Sequence, residues 1–148
     1  MKLKRRALIT SFFAAGAVLA TPRWLLAARP DAAFDARQLD AAVANVFEGP
    51  VIETDQIMLK IPDIAENGAV VPVTISTDLP NVESIAVVVE KNPTPLAAMF
   101  ELTEKSVPEV SVRIKMGETS PVHVLVRSGG KVFSTSKEVK VTIGGCGG

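Results

Sequence analysis

Cysteine and histidine each occur once in this chain of 148 residues, as Cys146 and His123. One cysteine excludes a disulfide within the chain, so any disulfide at Cys146 must join a second molecule. The sequence also lacks the grouped Cys/His ligands of a metal site, a carboxylate pair at a motif spacing and a glycine-rich phosphate loop. We therefore expect no metal, no cofactor and no catalytic residues of these kinds.

The single histidine has a position that suits a structural role. His123 alternates with Val122 and Val124, which places it on the opposite face of a predicted strand from the two valines. A surface or hydrogen-bonded position is more common for such a histidine than catalysis or metal binding.

The N-terminal residues 1–28 predict an export signal. They begin with basic residues, continue through the apolar stretch 7–20 and reach small residues at Ala27-Ala28. The apolar stretch is too short to span a bilayer comfortably, so we exclude residues 1–28 from the fold and expect no membrane anchor after processing.

The sequence is compatible with two routes of export and with three processing sites. Arg5-Arg6 directly before the apolar stretch favours the twin-arginine route, which carries folded proteins, over an ordinary secretory signal. Processing after Ala20, Ala27 or Ala28 is compatible with the sequence. Both routes predict a protein that leaves the cytoplasm with a free thiol.

The charge of the chain changes when residues 1–28 are removed. The whole chain has 16 basic and 16 acidic residues, and the signal holds five of the basic ones and none of the acidic ones. The exported part therefore has 11 basic and 16 acidic residues, a net charge of −5. Nucleic acid is excluded as a partner, because no basic stripe is present to neutralise phosphates.

Residues 29–143 predict one domain with a helix followed by strands. Apolar residues recur at helical spacing over Asp31–Phe47, which predicts one amphipathic helix that packs on the domain's own core or docks on a partner. From residue 51 onward the apolar residues alternate with a period of two. The predicted strands cover residues 57–61, 71–76, 85–89, 97–102, 110–116, 122–126, 131–134 and 139–143.

Turn residues separate these strands at short intervals, which is typical of an all-β, immunoglobulin-like β-sandwich of about seven strands. Residues 85–89 and 122–126 are apolar on both faces, which favours strands central to the sandwich or covered by a partner. Pro72 cannot donate a ladder hydrogen bond, so we expect its strand at a sheet edge or at a bulge.

The only cysteine lies in a C-terminal segment of glycines. Gly144, Gly145, Gly147 and Gly148 flank Cys146, and we expect such a segment to stay outside the core and to be mobile. We call residues 144–148 the glycine arm. Fully extended, the arm places Cys146 roughly 10 Å beyond Ile143.

The neighbours of Cys146 provide no base or cation that would favour the thiolate. An activating environment is therefore expected in the active site of another protein, with this chain supplying the point of attachment. The pattern favours a covalent carrier over an enzyme.

The terminal sequence 139–148 resembles the C-terminus of the SoxY family, the sulfur carriers of bacterial thiosulfate-oxidising systems. The resemblance extends to residues 64–73 and to residues 91–95 and covers most of the exported chain. It implies a periplasmic, immunoglobulin-like, non-catalytic subunit whose attachment residue for sulfur intermediates is Cys146.

The resemblance also implies partners. The family pairs with a SoxZ-like subunit as a heterodimer. A haem enzyme (SoxAX) joins thiosulfate to the thiol by oxidation, a hydrolase (SoxB) releases sulfate, and in some organisms a sulfane dehydrogenase (SoxCD) oxidises the remaining sulfur.

Three alternatives compete with the carrier. Gly147-Gly148 also ends ubiquitin-like sulfur carriers, which would carry sulfur on the terminal carboxyl of Gly148, but an export signal argues against their cytoplasmic chemistry. A structural immunoglobulin-like module could form a dimer through a disulfide at Cys146. Prenylation needs a cysteine four residues from the end, whereas Cys146 is third from it.

Overall fold

A computed structural model of the protein describes residues 29–143. The predicted export signal, residues 1–28, and the glycine arm, residues 144–148, lie outside the described residues. The described part contains two short helices followed by nine strands. They are α1 (Asp31–Asp35), α2 (Leu39–Ala44), β1 (Val51–Glu53), β2 (Ile57–Lys60), β3 (Ile64–Ala65), β4 (Val71–Thr77), β5 (Val82–Val89), β6 (Leu96–Glu101), β7 (Glu109–Ile114), β8 (Ser120–Ser128) and β9 (Lys131–Val141).

The strands form two sheets that enclose one large core. The larger sheet has the order β1-β9-β8-β5-β6, and β3 pairs with the same strand β9. The smaller sheet has the order β2-β4-β7 and is antiparallel throughout. Strands β1 and β3 run parallel to β9. The prediction of an immunoglobulin-like β-sandwich is confirmed.

The two strands that are apolar on both faces, β5 and β8, lie side by side in the middle of the larger sheet. Alternate residues such as Val87 and Val124 pack in the core between the sheets, whereas Val88 and Leu125 pack under the helices. The protein's own elements therefore cover both faces. Position inside the sandwich, and not a partner, explains the apolar runs.

The helical segment differs from the prediction of one helix over residues 31–47. It is broken at Ala36 and Gln38, which have extended backbone angles. In a continuous helix Ala33 and Ala42, nine residues apart, would point about 180° from each other. Both are fully buried, and the break is what allows α1 and α2 each to turn its small residue inward.

Both helices pack on the domain's own sheet. Ala33, Ala42 and Phe47 form a second buried cluster with residues from β5, β6, β8 and β9. Arg127 secures the end of this segment, because its Nη2 donates to the carbonyl oxygen of Val46 at 2.8 Å and its guanidinium lies 5.2 Å from the centre of the Phe47 ring. Of the two roles left open for the helical segment, packing on the domain's own core is confirmed.

The prediction that the strand of Pro72 lies at a sheet edge is wrong, but at Pro72 itself this strand is paired on one side only. Strand β4 is the middle strand of the smaller sheet. Its neighbour β2, however, pairs only with Thr74–Thr77, so at Pro72 the strand has β7 alone as a partner. A residue without a backbone N–H is tolerated at such a locally one-sided position.

Strand β9 is continuous over eleven residues, whereas the sequence predicted a break between residues 134 and 139. The polar residues 135–138 in that interval pair with residues 121–124 of β8, within a ladder that runs from Ser128 with Lys131 to Ser120 with Val139. The two strands are joined by Gly129-Gly130, both with positive φ, as a two-residue hairpin turn requires.

Candidate functional site

The predicted arm begins where the chain leaves the sandwich at residues 141–143. Val141 N donates to Thr119 Oγ1 at 3.0 Å, and Thr142 N donates to the carbonyl oxygen of Ala65 at 3.1 Å. The carbonyl oxygen of Ile143 accepts a hydrogen bond from Gly68 N at 2.8 Å. The chain is therefore hydrogen-bonded to the folded body up to the residue that precedes the arm.

The loop of residues 65–68 holds this end of the chain in place. Thr142 Oγ1 donates to the carbonyl oxygen of Glu66 at 3.0 Å, and Asn67 Oδ1 accepts from Ala69 N at 2.8 Å within the loop. Gly68 is buried, and its carbonyl oxygen accepts from Met116 N at 2.7 Å. Gly68 thus connects the end of the described chain to the segment that follows β7.

A third segment meets these two at the same end of the sandwich. Asn92 Nδ2 donates to the carbonyl oxygen of Lys115 at 2.7 Å, and Gly117 N donates to Asn92 Oδ1 at 3.1 Å. Lys91 N donates to Ser120 Oγ at 3.1 Å. Residues 64–73, 91–95 and 139–143, which carry the resemblance to the SoxY family, therefore all have members at the end of the fold where the arm begins.

The predicted site residues themselves, Gly144, Gly145, Cys146, Gly147 and Gly148, lie outside the described residues. The structure establishes their point of departure, because Cys146 follows Ile143 by three peptide units. Covalent geometry limits the Cα of Cys146 to roughly 10 Å from the Cα of Ile143.

An ion pair secures the strand next to the arm's origin. Lys137 Nζ lies 2.8 Å from Asp63 Oδ1 and also donates to the carbonyl oxygen of Ile61 at 3.1 Å. The hydrogen bond and the charge of Lys137 lower the pKa of the Asp63 carboxyl below its usual 3.8. These contacts tie the residues that lead into β3 to β9, beside the place where β9 continues toward the arm.

His123 has the hydrogen-bonded position near the surface that its place in the sequence predicted. Its Nε2 lies 3.1 Å from Glu90 Oε2, and its side chain is partly exposed.

Within residues 29–143, no three His, Cys, Asp or Glu side chains are grouped so as to hold a metal ion. The same residues contain no helix with the length and apolar character needed to cross a membrane.

Sequence reasoning missed the contribution of residues 64–68 to this site. Turn residues between the strands were predicted in general, but the pairing of Ile64 and Ala65 with the C-terminal strand was not. Strand β3 has only two residues and pairs in parallel with Lys140 and Val141, 76 positions further along the chain. A two-residue strand has too few positions to show a period, so its sequence contained no signal for this pairing.

These features define a class of protein: an immunoglobulin-like β-sandwich whose last strand leads, at a hydrogen-bonded end of the fold, into a segment with a single cysteine. The family model described as "Sulfur oxidation protein SoxY" matches residues 43–146. The chain belongs to the SoxY family of sulfur carrier proteins.

A solved structure supports this assignment. The chain is similar to the sulfur carrier protein SoxY from Chlorobium limicola f thiosulfatophilum, with 42% identity and a TM-score of 0.66 over 74% of this chain and 96% of that chain. A superoxide reductase (neelaredoxin) from Ignicoccus hospitalis matches with 13% identity and a TM-score of 0.54 over 62% of this chain and 94% of that chain. The second likeness shows the fold alone. No curated protein sequence matches the chain.

Proposed function

We propose that this protein carries thiosulfate-derived sulfur covalently on Cys146 and presents it to the enzymes of a periplasmic sulfur-oxidising system, without catalysing a step itself. The observation that carries the proposal is the family match, which extends through the folded domain and ends on Cys146. The chain's similarity to a sulfur carrier protein over nearly all of that protein's length supports it.

The loading step follows from the chemistry of a thiol and thiosulfate. The Cys146 thiol loses its proton, and the thiolate and the outer sulfur of thiosulfate form a sulfur–sulfur bond while two electrons leave. A haem enzyme of the SoxAX type accepts these two electrons. The product on the carrier is a cysteine S-thiosulfonate.

The release step is a hydrolysis. Water attacks the sulfonate sulfur, the bond between that sulfur and the next breaks, and sulfate and two protons are released. The carrier retains one added sulfur as a deprotonated persulfide on Cys146. A hydrolase of the SoxB type performs this reaction, and a sulfane dehydrogenase of the SoxCD type, where the host has one, oxidises the remaining sulfur.

This division of labour agrees with the composition around the thiol. Glycines on both sides of Cys146 offer small volume and backbone amides, but no side-chain base. A thiol is nucleophilic in its thiolate form, and a neighbouring base or cation usually favours the loss of the proton that forms the thiolate. The enzyme that receives the arm supplies that environment in this proposal.

The setting of the carrier is proposed on the same basis. Residues 1–28 direct export to the periplasm, most simply by the twin-arginine route, residues 29–143 form the folded body, and residues 144–148 form the arm. A SoxZ-like subunit pairs with the body as a heterodimer. Export of folded protein would allow a partner without its own signal to travel with this chain.

The test is to locate the sulfur adduct. The exported protein with its SoxZ-like subunit is incubated with thiosulfate and a SoxAX-type enzyme, and intact mass and peptide mapping are recorded before and after reductant. We expect a reductant-sensitive adduct on the C-terminal peptide of the wild type and none on Cys146→Ser.

A matched control moves the thiol to the folded body. In the Cys146→Ser background, Ser136→Cys places one cysteine at an exposed position on β9, far from the arm. We expect this variant to react with iodoacetamide but not to receive sulfur from the enzyme. Three results would contradict the proposal: a sulfur adduct on the Cys146→Ser variant, a sulfur adduct on the Gly148 carboxyl, or a disulfide dimer as the sole product at Cys146.

A further inference from the structure

A groove with a volume of about 570 Å³ lies on the outer face of the larger sheet, between the helical segment and β1. Its helical side contains Leu39, Val43 and Phe47, and its sheet side contains Leu125 and Val51. Pockets that bind ligands commonly have volumes of about 300–1,000 Å³ and apolar walls of this kind. Strand β1 pairs with the beginning of β9, whereas the arm follows the end of β9, so the groove and the arm lie at opposite ends of that strand.

The rim of this groove is acidic. Asp40 and Glu48 line it with exposed side chains, and neither forms an ion pair with any residue of 29–143. Residues 38–59 contain no basic side chain at all. His123 also lines the groove, but its Nε2 is paired with Glu90. An occupant that fits this groove therefore combines apolar side chains with a positive charge.

The chain itself contains a segment of this composition, directly before the described residues. Residues 21–28 include Arg23, Trp24, Leu25 and Leu26 and no acidic side chain. They belong to the unprocessed chain, and they remain in the exported chain if the earliest of the three predicted processing sites is used.

The described chain begins close to the groove. Arg29 leads directly into α1, and the carbonyl oxygen of Ala32 in that helix accepts from Asn45 Nδ2 at 3.2 Å, next to Ala44 on the groove wall. No residue of α1 lines the groove, so the segment must pass α2, and a helix has a diameter of about 10–12 Å. Trp24 lies five residues before Arg29, and five extended residues span roughly 17 Å. The segment is therefore long enough to enter the groove.

We propose that residues 23–26 dock in the groove between α2 and β1, with Trp24, Leu25 and Leu26 against its apolar walls and Arg23 at its acidic rim. Burial of apolar surface supplies most of the stabilisation, and the exposed charges add a smaller contribution that salt weakens. The end of the predicted export signal is then packed on the folded body before processing. Processing after Ala27 or Ala28 removes this cover and opens the groove, whereas processing after Ala20 leaves it in place.

The first test uses Trp24, which is the only tryptophan of the chain, so that intrinsic fluorescence reports on this segment alone. In the full chain and in residues 21–148, we expect emission at a shorter wavelength than that of N-acetyltryptophanamide and weaker quenching by acrylamide. Residues 21–148 should also melt about 3–6 °C above residues 29–148, a shift typical of a modest added contact in a small domain. Quenching equal to that of the free compound would overturn the inference, and so would equal melting temperatures.

A matched pair of substitutions on β1 locates the segment in the groove. Val51 and Ile52 are 44% and 41% exposed, but only Val51 lines the groove, since successive strand residues point to opposite faces. A charge that is desolvated on docking is costly, so Val51→Glu should abolish the protection of Trp24 and the difference in melting temperature between the long and short forms. Ile52→Glu should preserve both. The same result from the two substitutions would contradict docking at this groove.

Further measurements test the charges and the competing occupants. Arg23→Glu places a like charge beside Asp40 and Glu48 and should increase the quenching of Trp24 more at low salt than at high salt. Protection of Trp24 that depends on protein concentration would assign the groove to the segment of a second copy. Protection that appears only after the SoxZ-like subunit is added would assign the segment to the subunit interface. Either result would overturn the inference.

This inference is independent of the proposed carrier function. The Cys146→Ser variant should show the same fluorescence and the same quenching of Trp24 as the wild type. A failure of sulfur loading and a failure of docking are therefore separate results, observed on different residues at opposite ends of the fold.

Discussion

Gly68 donates its backbone N–H to the carbonyl oxygen of Ile143 at 2.8 Å, and this hydrogen bond joins a loop near the start of the sandwich to the residue that precedes the arm. The carbonyl oxygen of the same glycine accepts from Met116 N at 2.7 Å. The origin of the arm is thus held by the body of the fold, and the reach of Cys146 depends on the few peptide units that follow Ile143.

The first test changes the number of peptide units between Ile143 and Cys146. Deleting Gly144-Gly145 leaves one peptide unit between Ile143 and the cysteine and removes about 7 Å of a reach of roughly 10 Å. We expect enzymatic loading to fall by at least about tenfold, as a misplaced reacting group costs catalysis heavily, with the melting temperature unchanged. Initial rates and differential scanning fluorimetry measure the two quantities.

Replacing Gly144-Gly145 by two alanines is the control for the deletion, since it keeps the reach and changes only the side chains. A melting temperature that falls in proportion to the activity would instead assign a structural role to the arm.

The pair between Asp63 and Lys137 predicts a dependence of stability on pH. The pKa of Asp63 is lowered in the folded state, so its contribution is present above the usual value of 3.8 and is lost as the pH falls through the lowered one. We expect Asp63→Asn to be slightly less stable than the wild type at pH 7 and equal to it at an acidic pH below the lowered pKa of Asp63. The difference is small because the carboxylate is largely exposed and solvent screens the pair.

Urea unfolding at the two pH values measures this effect. Asp78→Asn removes an exposed carboxylate that forms no ion pair with any residue of 29–143, and it should show no such convergence. A difference between wild type and Asp63→Asn that persists at low pH would contradict the role assigned to the pair.

The buried Phe47 predicts the strength of the contact between the helical segment and the sheet. Its ring is 4% exposed and packs in the cluster beneath α1 and α2. We expect Phe47→Ala to lower the free energy of unfolding by about 3–5 kcal/mol, the range for removing a buried aromatic ring. Chemical denaturation followed by circular dichroism measures it.

The control for this change is Val107→Ala, at a side chain that is 76% exposed, where we expect a change within about 0.5 kcal/mol. A similarly small effect at Phe47 would mean that the helical segment is not part of the cooperative core.

The glycines of the hairpin between β8 and β9 predict how a side chain at the turn would affect stability. The free energy of unfolding should fall because of the backbone conformation and not because of a steric clash. Gly129 and Gly130 have φ of 55° and 73°, and a Cβ built at either position meets no atom within 4 Å. Gly130→Ala should therefore lower the free energy of unfolding by about 1–2 kcal/mol through backbone conformation alone. Gly130→Asn should cost less, since asparagine tolerates this region, and equal costs in urea unfolding would contradict the explanation.

Much of the sandwich could be predicted from alternation along single strands. Of the two alternatives predicted for the runs that are apolar on both faces, a central position or cover by a partner, the central position is confirmed, because a strand with no polar face must be covered on both sides. The two shortest strands that pair with β9 were not predicted, and neither was the continuity of β9 through its polar residues. In each case the backbone N–H and C=O groups are hydrogen-bonded to a neighbouring strand, and alternation along the single segment does not reveal that neighbour.

The helical segment shows the same limit. Its apolar spacing predicted helix correctly, but the break at Ala36–Gln38 follows from where the sheet lies, since Ala33 and Ala42 must both face it. Local propensity contains no information about the position of that surface.

The sequence by itself determined the chemical identity of the protein: one thiol, its glycine neighbours, the alternation that makes strands and the residues by which the SoxY family is recognised. Only the tertiary structure decided where the arm begins and what surrounds that point. The residues there, Ile64 to Val70 and Lys140 to Ile143, are about 76 positions apart in the chain and meet through backbone hydrogen bonds. Because backbone hydrogen bonds are independent of side-chain type, no pattern in the sequence could predict them.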